Sequence, residues 1–388
     1  MKLEEKKQTI THHLQSYFDE INSFSKKSNF VKSDFYTVHQ QKINEVIHGL
    51  EWDNSILEDH PFTETLRIVS WNIERGKAFV DLVQFFKEDA ELSKADVILA
   101  IECDSGMGRT ANRNVAKELA EALKMNYCFA PSYLVLGKGA VGETDHHHKN
   151  TTALHGTSIL SKYKITAAKS VEVPPVKEVF HSSEKRLGTK KGLIIEIEVG
   201  TKTLSFGAIH IDLSSTAKDR ANQLEAIVKN MPPTAIQIVG GDWNCGTFNL
   251  RRKWEIITQS MSKLMTIGFT KAIEHYMTPE LKFEQPLFTM LSTNGFDFNT
   301  YNDRLKGTLY FDVNQVLTND KIKQFVPEFF TKELHRRLQP WKGCVPLKID
   351  WLAGKGGTVL NAQTIEKPQV KGRFLSDHNP IYIDLKLA

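Results

Sequence analysis

Cysteine is scarce: four residues in 388, Cys103, Cys128, Cys245 and Cys344, with no C-x-x-C pair among them. That count and spacing exclude a disulfide scaffold and a cysteine zinc site, and predict reduced, buried thiols. No apolar run approaches the ~18 residues of a membrane-spanning helix. The opening Met1-Lys2-Leu3-Glu4-Glu5-Lys6-Lys7 leads into no apolar segment, so neither a secretory signal nor an anchor is read and a soluble, cytoplasmic protein is expected. An excess of one charge is also missing. Lys plus Arg number 50 and Asp plus Glu 46, a net charge of +4, which permits a polyanionic substrate without demanding one. No internal repeat or low-complexity tract interrupts the chain. What is there is an ordinary globular composition, 40% hydrophobic and 25% charged, long enough for two or three domains or for one large α/β unit with insertions.

Residues 1–60 place Ile10, Leu14, Tyr17, Ile21 and Phe24, and later Ile43, Val46, Ile47 and Leu50, at helical spacing, which predicts two amphipathic helices. After Pro61, β-branched runs alternate with helical patterns. Strands are predicted at Leu66–Asn72, Val97–Glu102, Gly192–Val199, Thr203–Ile211, Ala235–Asp242, Lys348–Leu352 and Ile381–Leu387. Helices are predicted at Val80–Glu91, at Asn112–Leu123 with Asn112 as N-cap, and at Thr216–Asn230. Interleaving of this kind indicates an α/β fold, and Gly200-Thr201-Lys202 between two strand patterns adds a hairpin, so the sheet is mixed. Residues 137–152 and the stretch from about Thr270 to Trp341 lack a simple period, and such segments usually border a site.

Polar residues recur where predicted strands end: Ser70-Trp71-Asn72-Ile73-Glu74, Ile101-Glu102, Ile209-His210, Gly240-Gly241-Asp242-Trp243-Asn244, Ile349-Asp350-Trp351 and Ser376-Asp377-His378-Asn379-Pro380. Ligands bind at that edge of α/β sheets, where loops converge polar groups over a rigid scaffold. Singly, each acid reads as a turn or cap and each histidine as a structural residue. Three further features have plain readings. His146-His147-His148 lies in a Gly-, Asp- and Lys-containing loop and reads as a solvated linker before a metal site. Gly354-Lys355-Gly356-Gly357 lacks P-loop spacing and reads as a hairpin turn. Phe283, Phe288, Phe296, Phe298 and Tyr301 read as core packing before base stacking.

In its order, Trp-Asn, Glu, His, Gly-Asp-x-Asn, Ile-Asp-Trp and Ser-Asp-His, the pattern from about Leu66 to Leu387 resembles the endonuclease/exonuclease/phosphatase superfamily. Gly156–Tyr163, with its Leu160-Ser161-Lys162-Tyr163 turn, and Arg220 and Gln223 after His210 agree with it. The resemblance implies a four-layer α/β sandwich, two packed mixed sheets flanked by helices, over residues 61–388, with insertions near 137–152 and 246–345 and a helical N-terminal extension at 1–60. It implies a divalent metal, Mg²⁺ or alternatively Mn²⁺, held by Asn72, Glu74, Glu102 and Asp377, with Glu102 the principal ligand and Glu74 acting directly or through metal-bound water; oxygen donors of this kind suit those ions. Asp242 would be the general base, with Asn244 holding the phosphate or the nucleophile. His378, kept charged by Asp350, and His210 would be two cationic donors to the phosphate, near which Asn72 and Arg220 also bind substrate. Arg109 and Arg113 are candidates to clamp phosphate from a glycine-rich loop, the plainer reading being a solvated loop and a helix-end charge. The implied function is metal-dependent phosphate-ester hydrolysis, with a phosphodiester favoured and nucleic acid among the substrates considered. A phosphomonoester or a lipid head group is the alternative, and a non-enzymatic binding module is disfavoured because each expected position carries a competent side chain.

Overall fold

A strand with apolar side chains on both faces must be covered on both, and this requirement sets the architecture. The computed structural model describes residues 1–56, 64–139, 143, 144, 146–182, 184–245, 266–312, 336, 339 and 343–387. The first sheet holds, in spatial order, β1 (Lys7–Gln8), β2 (Glu51–Asp53), β5 (Asn126–Val135), β6 (Leu154–Ser161), β4 (Val97–Ser105), β3 (Thr65–Arg75), β18 (Ile381–Lys386) and β15 (Thr358–Thr364), with β8 (Arg186–Gly188) along β5. The second runs β14 (Asp350–Lys355), β11 (Ile236–Asp242), β10 (Lys202–His210), β9 (Lys191–Val199) and β7 (Ile165–Glu172). Pairing is parallel between β3 and β4 and between β10 and β11, and antiparallel elsewhere in both sheets.

Alternation along β9 shows how the layers form. Leu193, Ile195 and Ile197 point into the core between the sheets with Leu66, Ile68, Leu99 and Ile383. Ile194 points the other way, onto Leu224 and Ile227 of α6 (Ala217–Val228) and into the cluster that holds Leu287 and Leu291 of α7 (Gln285–Thr293). The outer face of the first sheet is covered by α3 (Asp34–His48), α4 (Phe79–Glu88) and α5 (Val115–Leu123) through Ile43, Val46, Leu82, Phe86 and Leu119. The result is the expected four-layer sandwich. Phe288, Phe296, Phe298 and Tyr301 are buried in it, as core packing requires.

Several local expectations differ from the structure. The N-terminal region forms one long helix, α3, with short turns at α1 (Phe18–Ser23) and α2 (Lys27–Phe30), instead of two helices. It is also woven into the first sheet, because Glu51–Asp53 pair with Tyr127–Phe129. The buried Glu51 carboxylate fixes the joint by accepting from Ile10 N at 3.1 Å, Asn114 Nδ2 at 2.6 Å and Tyr127 OH at 2.9 Å. Asn114, not Asn112, caps α5, accepting from Lys117 N at 3.2 Å. Ala111 and Asn112 lie at φ of 54° and 58°, left-handed geometry that cannot start a helix. The turn at Gly354–Gly357 joins β14 of one sheet to β15 of the other, so it is a crossover and not a hairpin. Gly356 is obligatory there: its φ is +77° and a Cβ would stand 2.1 Å from Ala235 O. Of the insertion expected at 246–345, residues 246–265, 313–335, 337, 338 and 340–342 lie outside the described residues, as do residues 57–63 around the expected boundary at 60 and residues 140–142 and 145 of the 137–152 insertion. Among the described residues no helix is long and apolar enough to cross a membrane.

Candidate active site

Register places three polar residues in one row across the second sheet. Parallel pairing of β10 with β11 sets His210 opposite Asp242, and antiparallel pairing of β11 with β14 sets Asp242 opposite Asp350. Gly241, just before Asp242, has φ +135°, and a Cβ would meet Ile209 O at 2.0 Å, so only glycine lets these strands close up here. The first sheet answers with the ends of β3 and β4, both of which slip register, between Asn72 and Arg75 and between Ala100 and Cys103. Glu74, Arg75 and Glu102, at φ of 46°, 66° and 62°, occupy these irregular segments. Left-handed non-glycine backbone costs on the order of 1 kcal/mol per residue, and bulges re-aim side chains. Glu102 is thereby brought across the gap, its carboxylate 3.7 Å from His210 Nδ1 and 3.4 Å from Arg75 Nη1.

Asn72 joins the two edges. Its Nδ2 donates to Asp242 Oδ2 at 3.1 Å, and its Oδ1 accepts from Glu74 N at 3.1 Å. The other Asp242 oxygen accepts from Asn244 N at 3.0 Å, and Asn244 Nδ2 donates to Ile211 O at 2.9 Å. Two imidazoles flank the carboxylate: His210 Nε2 lies 3.4 Å and His378 Nε2 3.8 Å from Asp242 Oδ2. His378 Nδ1 is bonded to Asp350 Oδ2 at 2.8 Å, and Asp350 N donates to Thr308 Oγ1 at 3.0 Å. The loop that carries His378 is pinned to β3, since Ser376 Oγ donates to Asn72 O at 2.7 Å and Trp71 Nε1 to His378 O at 2.9 Å.

Burial drives the electrostatics. It pushes the Asp242 carboxyl up to about 7, with Asp350 adding to the effect and His378 opposing it. Burial also works against a charge on His378, but the carboxylates of Asp350 and Asp242 outweigh it and hold the imidazole protonated well above its ordinary range. His210 goes the other way. Burial and Lys190 lower it well below the usual value despite Glu102, so it is neutral and offers one N–H. The expectation of two cationic imidazoles is corrected to one. For Glu102, burial opposes ionisation, yet the positive charge of Arg75, with Lys190 adding to it, keeps its carboxyl well below the ordinary range.

Of the residues singled out in the sequence, Asn72, Glu102, His210, Asp242, Asn244, Asp350 and His378 therefore converge. Asp377 is exposed beside His378. Glu74 pairs its carboxylate with Lys77 Nζ at 2.8 Å, both side chains being about a third exposed. Both arginines expected to bind phosphate are otherwise engaged. Arg109 is 3% exposed and its guanidinium is filled by Asp104 at 2.7 and 2.9 Å, Glu143 at 2.9 Å and Glu184 at 2.6 Å. Arg220 is 1% exposed and forks onto Glu284 with a contact of 2.5 Å. Neither can turn to a ligand without abandoning a buried carboxylate. Arg113 pairs with Glu118 at 2.5 Å and lies over Phe79. His147 and His148 are exposed, and His146 Nε2 contacts Lys138 O at 3.1 Å, so the triplet belongs to a loop.

Two residues beside the centre escaped the sequence reading. Arg75 directly follows Glu74 and could have been found from that adjacency. Lys190, whose charge is felt at Glu102, His210 and Asp242, precedes β9 with no motif to mark it. Among the described residues, Asp242, Asp350 and His378 also offer one ligand atom each within 4.8 Å of one another. Within that group His378 Nδ1 and Asp350 Oδ2 are already bonded to each other at 2.8 Å.

No protein-family model matches the chain, and no curated protein does. Among solved structures it is similar to an endonuclease/exonuclease/phosphatase from Beutenbergia cavernae DSM 12333, with a TM-score of 0.51 at 14% identity over 84% of this chain and 72% of that one. It is also similar to the human Nocturnin catalytic domain, at a TM-score of 0.46 and 11% identity over 84% and 95% of the two chains. An inositol polyphosphate 5-phosphatase domain, that of SPsynaptojanin, gives 0.43 at 12% identity over 91% and 90%. Identities this low speak for the fold alone, and the first likeness gives it: the chain has the endonuclease/exonuclease/phosphatase fold.

Proposed function

We propose that the chain is a metal-dependent phosphoester hydrolase, acting on a phosphodiester, with nucleic acid the leading substrate class. The observation that carries this reading is the environment of Asp242: a buried carboxyl raised to about 7, between a protonated and a neutral imidazole and opposite an ionised Glu102. A base with a pKa near the working pH is best matched to taking a proton from water, and positive N–H donors meet the charge that builds on phosphoryl oxygens.

The donor chemistry fits a hard divalent cation. Glu102 is held ionised with the Arg75 guanidinium 3.4 Å away, and among the described residues no hydrogen bond is made to its carboxylate, so its oxygens suit a hard cation. Glu102 and Asn72, with the exposed Asp377, would hold Mg²⁺ or Mn²⁺, which when bound supplies Lewis-acid stabilisation of phosphoryl charge. The chain's own residues do the rest. Asp242 accepts the proton of the attacking water, and Asn244, fixed by Ile211 O, orients the nucleophile. His378 presents an N–H to the phosphate while Asp350 holds its other nitrogen, and His210 adds a second, neutral donor.

Nicking of supercoiled plasmid by wild type, with Asp242→Asn and EDTA controls, tests the reading. Nicking that both controls abolish supports a nuclease. Release of p-nitrophenol from p-nitrophenyl phosphate without nicking would replace the phosphodiester with a phosphomonoester, and no hydrolysis of either substrate would overturn the hydrolase.

A further inference from the structure

A cation of the chain itself already stands beside Glu102. Arg75 Nη1 lies 3.4 Å from Glu102 Oε2 and 3.1 Å from Glu143 Oε1, so the guanidinium is divided between two acids. Lys77 is divided in the same way, its Nζ 2.7 Å from Glu143 Oε1 and 2.8 Å from Glu74 Oε1. One oxygen of Glu143 therefore faces both cations that neighbour the acids at the irregular ends of β3 and β4. Its other oxygen accepts from Arg109 Nη1 at 2.9 Å. The Glu143 side chain is 11% exposed, and at that depth charges are screened far less than at the surface.

Glu143 belongs to the aperiodic 137–152 segment, whose described part is fastened to the loop that follows β4. Thr151 N and Ala153 N donate to Gly106 O at 2.8 and 3.1 Å, Gly108 N to Asn150 Oδ1 at 2.8 Å, and Asn112 Nδ2 to Lys149 O at 2.9 Å. Arg109 completes the support from the same loop. Its guanidinium is fixed by Asp104, two residues beyond Glu102, so one strand sets both the expected metal ligand and the arginine that holds Glu143. Among the described residues the contact of Arg75 with Glu102 is an ion pair without a hydrogen bond. Arg75 thus acts on Glu102 by its charge and not by fixing its orientation. A divalent cation at Glu102 has to take the place of that charge, and Glu143, already 3.1 Å from the guanidinium, is there to keep it compensated.

We propose that Glu143 is a positioning residue for the metal site: by holding the Arg75 guanidinium, it leaves the Glu102 carboxylate to a divalent cation. The inference rests on the metal-dependent phosphoester reading and adds to it a part for the 137–152 segment, which carries the counter-charge that Arg75 needs. Without the Glu143 charge, Arg75 and Lys77 turn to Glu102 and Glu74 alone, and Arg75 competes with the ion for Glu102. Without Arg75, that competitor is gone. The two side chains therefore act on metal affinity with opposite sign, and Glu143 acts through Arg75.

The test is calorimetric titration of Mg²⁺ into the full chain for wild type, Glu143→Gln, Arg75→Met, the double variant and Glu102→Gln, with thermal melts to establish that each is folded. Glu143→Gln should weaken Mg²⁺ roughly 3- to 30-fold, the range of one partly buried charge contact, and Arg75→Met should tighten it by a similar factor. In the Arg75→Met background, Glu143→Gln should change the affinity less than about 2-fold, a coupling that neither long-range charge nor the loss of a structural contact would produce. Arg75→Met leaves Glu143 paired with Lys77 and Arg109, so it tests the claim from the other end should Glu143→Gln fail to fold. Unchanged affinity in Glu143→Gln, equal weakening with and without Arg75, or weaker binding in Arg75→Met would each overturn the proposal alone. Wild type that binds no Mg²⁺, or Glu102→Gln that binds it as wild type does, would overturn the metal reading and the proposal with it.

Discussion

Lys348 carries a charge that the fold tolerates poorly. It is fully buried, its Nζ has no hydrogen-bond partner among the described residues, and the Trp351 ring centroid lies 5.2 Å away. Burial, reinforced by Arg304, pushes its pKa down from 10.5 to about 8, although Asp303 and Asp350 pull the other way. At about 1.36 kcal/mol for each tenfold change, that fall is equivalent to ~3 kcal/mol lost on folding with the charge in place. The unfolded chain keeps the proton up to the higher value and the folded chain releases it at the lower. The cost is therefore complete below pH 8, shrinks as pH rises, and is gone above the unfolded value. Lys348→Met keeps the alkyl stem and deletes the charge, losing about 0.5–1 kcal/mol of contact with the indole face. The variant should be about 2 kcal/mol more stable than wild type in urea unfolding at pH 7, with the difference vanishing near pH 10.5. A variant less stable at pH 7, or a difference that does not change with pH, would refute the assignment of a charged, uncompensated lysine at this site.

Other outcomes follow from the same geometry. Arg220→Ala should lower stability by about 3–5 kcal/mol, because Glu284 would be left as a buried, uncompensated charge. Its KM should not change if Arg220 touches no substrate, and thermal melts with steady-state kinetics check both. Asp350→Asn removes the carboxylate that holds His378 protonated and oriented, and should lower kcat by roughly 10²–10⁴-fold; NMR of the His378 ring should show its pKa falling in the variant. Glu102→Gln should abolish the rise in melting temperature that Mg²⁺ produces in wild type, and an equal rise in the variant would remove Glu102 from the metal site. In metal-free protein, Asp242 should titrate by infrared spectroscopy near 7, ionising as pH rises through that value, and a carboxyl ionised at pH 5 would contradict the part given to burial.

The layers were legible because alternation in β9 and β10 and the helical spacing in α4 and α6 report burial directly. Even the Thr216 cap was readable: Thr216 and Asp219 form a reciprocal capping box. β5 was not legible. It is buried along its whole length, so its sequence does not alternate, and Pro131 falls within it at a break in register. The polar row of the candidate site was visible only as scattered strand ends in order. What the sequence could not show was pairing: that Arg109 and Arg220 meet carboxylates distant in the chain, that Glu51 binds the N-terminal region into the sheet, or that Gly354–Gly357 changes sheets. Nor could it show that burial and Lys190 would keep His210 neutral while Asp350 keeps His378 charged, since those states depend on what folding brings alongside.

The most direct test of the central claim is Mg²⁺-dependent release of p-nitrophenol from bis(p-nitrophenyl) phosphate by wild type and Asp242→Asn, compared at matched folded fraction. If Asp242 is the general base, the variant should be slower by roughly 10²–10⁴-fold in kcat with its fold intact. Equal rates in the two proteins would contradict that role for Asp242, and with it the mechanism built around it.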